Sequence, residues 1–228
     1  MERMAANSTK TGNFSDVRGL IFDLDGTLID SKADLVHSVN AALQNSGRKA
    51  ISDDAVTSYV GSGADALIRL AMGKTEIDLE VSETLAFFLG YYREHMLDNT
   101  VLYPGVLEAL EQLNTYPMAV LTNKPVRFSR AILEGLGVDR YFRFVYGGNS
   151  FETKKPDPLG ALVLSRDFAL APGELMIVGD SDVDVLTARN AGMWACGVTY
   201  GLGAEGLRQT PPDLLIDSLF DLPPWLRI

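Results

Sequence analysis

Short apolar runs of strand length alternate with amphipathic, helix-length stretches along most of this 228-residue chain. The runs are Val17–Phe22, Met118–Leu121, Phe142–Tyr146, Leu175–Val178, Trp194–Val198 and Leu214–Ile216. Between the later ones lie helical patterns at Pro104–Leu113, Arg127–Leu136, Pro158–Asp167 and Asp182–Ala191. A strand that is apolar along its whole length needs cover on both faces, and a parallel crossover needs a helix. The expectation is an α/β fold with a Rossmann-like parallel sheet core.

The alternation breaks once. From about residue 32 to 98 there is no convincing strand, while Leu35, Val36, Val39, Ala42 and Leu43 recur at helical spacing. Ser52-Asp53-Asp54 reads as a helix start, and Ser82–His95 as a long helical stretch. We therefore expect an inserted all-helical cap over residues 32–98. The core is then built from 17–31 and 99–228, with hinges at Asp30–Lys32 and Asp98–Tyr103. Residues 1–16 read as a flexible N-terminal tail.

Composition removes several functions. The net charge of -10 leaves no basic excess to displace counterions, so nucleic acid is not an expected partner. Cys196 is the single cysteine, which rules out an intrachain disulfide and a thiolate metal cluster. His37 and His95 are the only histidines, both in helix-like segments, and are expected on helix surfaces. The first sixteen residues carry no apolar run and no stretch is long enough to span a bilayer. A cytoplasmic protein with no membrane partner is expected. Oligomeric state leaves no mark in the sequence.

The chemistry gathers at the first strand. In Phe22-Asp23-Leu24-Asp25-Gly26-Thr27, Asp23 and Asp25 point to one side of an extended chain, and Gly26 lets the backbone turn. Chance alone yields Asp-x-Asp-Gly-Thr in roughly one chain of this length in four hundred at average residue usage. Two carboxylates at the end of a buried strand are unfavourable unless a cation or a reaction uses them. Open α/β sheets place their sites at that end.

This segment resembles the first signature of the haloacid dehalogenase superfamily, and three further signatures follow in order. Leu121-Thr122-Asn123-Lys124 resembles the second, Lys154-Lys155-Pro156-Asp157-Pro158 the third, and Val178-Gly179-Asp180-Ser181-Asp182-Val183-Asp184 the fourth. The resemblance implies a phosphomonoester hydrolase that works through an aspartyl-phosphate on Asp23, with Asp25 as general acid and base and Lys155 as the catalytic cation. It implies Mg²⁺ held by Asp23, Asp25 (through its carbonyl) and Asp180, with Thr27 and Asp184 behind them. Thr122, Asn123 and Lys155 would bind phosphate, leaving Lys154 a solvated neighbour.

Tyr59-Val60-Gly61-Ser62-Gly63, Tyr103-Pro104-Gly105-Val106 and Gly197-Val198-Thr199-Tyr200-Gly201 are similar to segments of phosphoglycolate phosphatases. That likeness implies a small phosphorylated metabolite as partner, with Gly61, Ser62 and Gly63 as the cap loop that reads it. Arg69 is a second candidate for that reading. Another small-molecule phosphatase, a pyrophosphatase or a hexose-phosphate mutase of the same superfamily would carry the same core signatures.

Overall fold

The computed structural model describes residues 14–226. Six parallel strands form one sheet: β1 (Gly19–Phe22), β4 (Met118–Leu121), β5 (Phe144–Tyr146), β6 (Leu175–Gly179), β7 (Trp194–Val198) and β8 (Leu214–Ile216). Their order is β5-β4-β1-β6-β7-β8, so the chain leaves β1 in one direction and later returns to its other side. β1 pairs with β4 through Leu20↔Met118 and with β6 through Leu20↔Met176. Loops after these three central strands open at one edge, which is where crevices form in doubly wound sheets.

Strand alternation sorts the core into two layers. Leu20, Phe22, Val120 and Val178 face one side, which is packed by the helices α5 (Val106–Gln112) and α6 (Val126–Gly135). Ile21, Ala119 and Ile177 face the other, against α7 (Leu159–Phe168) and α8 (Asp182–Ala191). Both layers are apolar because parallel strands are covered twice.

Four helices lie in sequence between β1 and β4: α1 (Lys32–Asn45), α2 (Asp53–Ser58), α3 (Ala64–Ala71) and α4 (Leu79–His95). The helical-spacing residues Val39, Ala42 and Leu43 of α1 are fully buried, with Val81, Phe88 and Tyr92 of α4 in the same apolar cluster. α4 begins earlier than its periodicity indicates, because the Asp78 carboxylate caps it by accepting the Val81 N–H. The chain enters and leaves this block through two short strands that pair antiparallel, β2 (Ile29–Asp30) and β3 (Val101–Leu102). Two-residue strands are below what periodicity can register.

Beside that pair, Asp34 of α1 clasps the return segment. Its carboxylate accepts the Asn99 and Thr100 N–H groups, the Asn99 amide at 2.9 Å and the Thr100 hydroxyl at 2.8 Å. Burial alone would raise its pKa, but these donors prevail and hold the carboxyl below its ordinary value.

The tail expected at 1–16 is corrected at its inner end. Residues Phe14–Asp16 form a 3-10 turn, and the Phe14 ring is buried edge-on to Trp194 and Trp225. A single aromatic anchor has no period and so no sequence signature; residues 1–13 lie outside the described residues. Among the described residues no helix is long and apolar enough to cross a membrane.

Asp34→Ala leaves several buried donors unpaired and is expected to lower stability by about 3 kcal/mol, measured by urea unfolding. Because its folded pKa is depressed below the ordinary 3.8, Asp34 stabilises fully above that value, and the contribution is lost as pH falls through the folded pKa. The wild-type advantage over Asp34→Ala should therefore shrink in acid.

Candidate active site

Asp23 is the first residue beyond β1, and its N–H donates to the Val178 carbonyl of β6 at 2.9 Å, so the sheet register itself carries the carboxylate to the central crevice. Gly26 then turns the chain with φ +83°, and a Cβ there would lie 2.3 Å from Asp180 Oδ2. At the end of β6 a Cβ on Gly179 would lie 2.1 Å from Asp184 Cγ. These two glycines allow carboxylates to press against backbone, which no larger residue would permit.

The result is a buried acidic cluster. Carboxylate oxygens of Asp23, Asp180 and Asp184 lie within 4.8 Å of one another. Asp180 is held by the Thr27 hydroxyl at 3.2 Å and the Gly203 N–H at 2.8 Å. Asp184, in the first turn of α8, accepts from the Ser181 N–H and hydroxyl through one oxygen and from Lys155 Nζ at 2.6 Å through the other. Lys155 Nζ also lies 2.9 Å from Asp23 Oδ1, but out of hydrogen-bonding alignment, so that buried oxygen has no hydrogen-bond donor.

Electrostatics follow from this crowding. Burial, opposed by Lys155 and reinforced by Asp184, pushes the Asp23 pKa up to about 6. Burial, with the charges of Asp184 and Asp23, pushes Asp180 up to about 7. Burial works against the Lys155 ammonium, yet the charges of Asp184 and Asp23 more than offset it and keep it protonated. A donor set made of carboxylate oxygens, one of them without a donor, fits a hard divalent cation.

Asp25 stands in a separate setting. Lys124 closes the second signature, Leu121-Thr122-Asn123-Lys124, in which Thr122 and Asn123 are the expected phosphate ligands. In the fold its ammonium lies 2.9 Å from Asp25 Oδ1 and 2.7 Å from the Tyr92 hydroxyl of α4. The Ser31 hydroxyl donates to the same Asp25 oxygen at 2.5 Å. Asp25 therefore has a cation and a hydroxyl as its nearest partners, both buried. None of Ser31, Tyr92 and Lys124 was singled out for this role, since their approach to Asp25 depends on the tertiary fold. The only available signal was the position of Lys124 inside the second signature.

Thr122 and Asn123 follow β4 directly, at the same edge. Thr122 Oγ1 accepts the Lys124 N–H at 3.2 Å. The Asn123 amide is committed elsewhere: it donates to the carbonyls of Gly61 and Lys155 and accepts the Lys155 N–H. It braces the lysine loop against the helical block, and its main-chain N–H is what it can offer an anion.

The loop at 61–63 sits over this edge, where Gly61 and Gly63 line a cavity of about 50 Å³ together with Asp23, Asp25 and Lys124. Ser62 is exposed and is not part of that lining. Lys154, expected as a solvated neighbour, is partly exposed, and its ammonium pairs with Asp65 of α3 at 2.5 Å. That contact could not be read locally, because the two lysines are adjacent while Asp65 is remote in sequence. Arg69 donates to the Lys74 and Thr75 carbonyls at the far end of α3 and is not among the residues lining the cavity.

The family model for haloacid dehalogenase-like hydrolases matches residues 20–198. A phosphoglycolate phosphatase of Vibrio parahaemolyticus is 39% identical over 216 residues, covering 91% of this chain and 95% of the relative. Phosphoglycolate phosphatase 1 of Pseudomonas aeruginosa is 38% identical, covering 91% of this chain and 79% of its own length. The crystal structure of a predicted phosphoglycolate phosphatase from Haemophilus somnus superposes with a TM-score of 0.85 at 34% identity, over 91% of this chain and 97% of that one.

Because Asp23 and Asp180 hold protons up to about pH 6 and 7, a cation must displace them at low pH. Apparent Mg²⁺ affinity, read from the rise in Tm on titration into metal-free protein, should increase about twentyfold from pH 6 to pH 8. An affinity that is flat across that range, or stronger in acid, would contradict the cluster as the binding site.

Proposed function

The chain belongs to the haloacid dehalogenase-like hydrolases, and from that premise we propose that it is an Mg²⁺-dependent phosphomonoesterase that cleaves phosphoglycolate through a phospho-enzyme on Asp23. The observation that carries the reading is the Asp23 carboxylate itself. It lies at the tip of the central strand with a protonated lysine 2.9 Å away and one oxygen without a hydrogen-bond donor.

In the first step an Asp23 oxygen attacks phosphorus and the bond to the ester oxygen breaks. Asp25 gives its proton to that leaving oxygen, which departs as an alcohol. In the second step Asp25 takes a proton from water as the water attacks phosphorus, the acyl-phosphate bond breaks, and Asp23 returns as a carboxylate with inorganic phosphate released. Lys155 stays charged throughout and stabilises negative charge on the transferring group, while Asp184 holds Lys155 in place. Asp23, the Asp25 carbonyl and Asp180 would hold the cation, with Thr27 and Asp184 supporting them. When bound, the ion offsets the charge of the cluster so that a phosphate dianion can approach. Thr122 and the Asn123 N–H are assigned to the phosphate oxygens.

Residues 32–98 are read as a cap that closes the site. Three polar contacts across the boundary support this: Asn123 to Gly61, Lys154 to Asp65, and Lys124 to Tyr92. The choice of phosphoglycolate rests on the named relatives. Gly61 and Gly63 would meet the leaving group.

Asp23→Asn is nearly isosteric and removes a charge from the cluster, so it should fold with an unchanged or higher Tm while kcat falls by about a thousandfold or more. In the wild type, phosphate release should show kcat/KM for phosphoglycolate about tenfold or more above that for hexose phosphates. Turnover by Asp23→Asn near the wild-type rate would remove the mechanism; equal efficiency across the panel would remove the substrate.

A further inference from the structure

Ser31 and Lys124 hold the Asp25 carboxylate directly and Tyr92 reaches it through Lys124; of these three groups, two come from the helical block and its entry. Ser31 immediately precedes α1, and Tyr92 belongs to α4. The third, Lys124, joins Tyr92 to Asp25, with its ammonium 2.7 Å from the hydroxyl and 2.9 and 3.2 Å from the two carboxylate oxygens. This relay is shielded from water: Tyr92 is 1% exposed and Lys124 7%. The Tyr92 ring is fixed independently of its oxygen, stacked on Phe88 at 5.6 Å and edge-on to Phe128 at 5.4 Å. Burial pushes the phenol pKa up to about 12, so a neutral hydroxyl meets the ammonium and accepts from it.

An ammonium has three donors in a compact tripod, and a buried one that loses an acceptor has no water to take its place. With the hydroxyl present, Lys124 is drawn toward both Asp25 and Tyr92 and sits between them. Without it, the ammonium would have Asp25 as its one remaining partner among these groups and would shift toward that carboxylate. We propose that Tyr92 is a positioning residue for Asp25, acting through Lys124, so that the proton donor is aligned only when α4 is seated on the core. This rests on the reading of Asp25 as the acid.

Alkyl and aryl esters separate the role from simple stability. An alkoxide needs a proton to leave, whereas p-nitrophenolate leaves without one. The experiment uses the full-length protein with Mg²⁺ and measures kcat and KM on phosphoglycolate and p-nitrophenyl phosphate for wild type, Tyr92→Phe, Lys124→Met and the double variant. Tyr92→Phe keeps the ring and removes one oxygen. The ratio of alkyl to aryl kcat should fall about tenfold, with KM for phosphoglycolate within about threefold of wild type. Lys124→Met should lower the ratio too, and adding Tyr92→Phe to it should change the ratio by less than about twofold, since the hydroxyl then has nothing to hold.

An unchanged ratio in Tyr92→Phe overturns the proposal. So does a further fall in the double variant, or a parallel loss on both esters together with a lower Tm. Failure of the phosphatase reading itself would look different, because the wild type would then release phosphate from neither ester.

Discussion

Like charges forced together in a dry crevice govern this structure. Asp23, Asp25, Asp180 and Asp184 converge where β1 and β6 end, and two lysines come in to meet them. Each buried ammonium is in turn fixed by its carboxylates, so neither side of the arrangement can be removed without stranding the other. Four carboxylates against two ammonium groups leave a formal excess of two negative charges. Burial first, and the neighbouring carboxylates after it, raise the pKa values of Asp23 and Asp180, so that protons on them make up part of that deficit at low pH. A divalent cation matches the same deficit, and the packing of Gly26 and Gly179 against carboxylate groups keeps the cluster tight.

Much of this architecture is written locally. Parallel strands buried on both faces appear as uninterrupted apolar runs, so the six strands of the sheet could be located to within a residue or two. The apolar spacing in α1 is the same set of residues that packs the helical block. Asp23, Thr122 and Asp180 each directly follow a strand, with Asp25 two residues beyond Asp23, and the sheet delivers strand ends to one edge whatever the rest of the chain does.

What was not legible depends on contacts between distant segments. Lys124 carries no role of its own in the second signature, and only the approach of α4 shows that it faces Asp25 and Tyr92. Lys154 and Lys155 are adjacent and chemically identical, yet one turns inward to Asp184 and the other across the boundary to Asp65. Asn123 looks like an anion donor in a loop, but its amide is committed to the chain around Gly61 and Lys155. Such assignments follow from which groups remain unpaired after folding, and no local pattern encodes that.

The clasp between Asp34 and the Asn99–Thr100 segment has a mechanical consequence. The two strands of chain that carry the helical block are tied to each other, by the β2–β3 pair and by this carboxylate, on the side next to the core. A body tethered along one edge resists lifting away as a whole, so any opening of the block would be a swing about that edge. Such a swing would move Ser31, which lies in sequence between β2 and α1, least relative to Asp25.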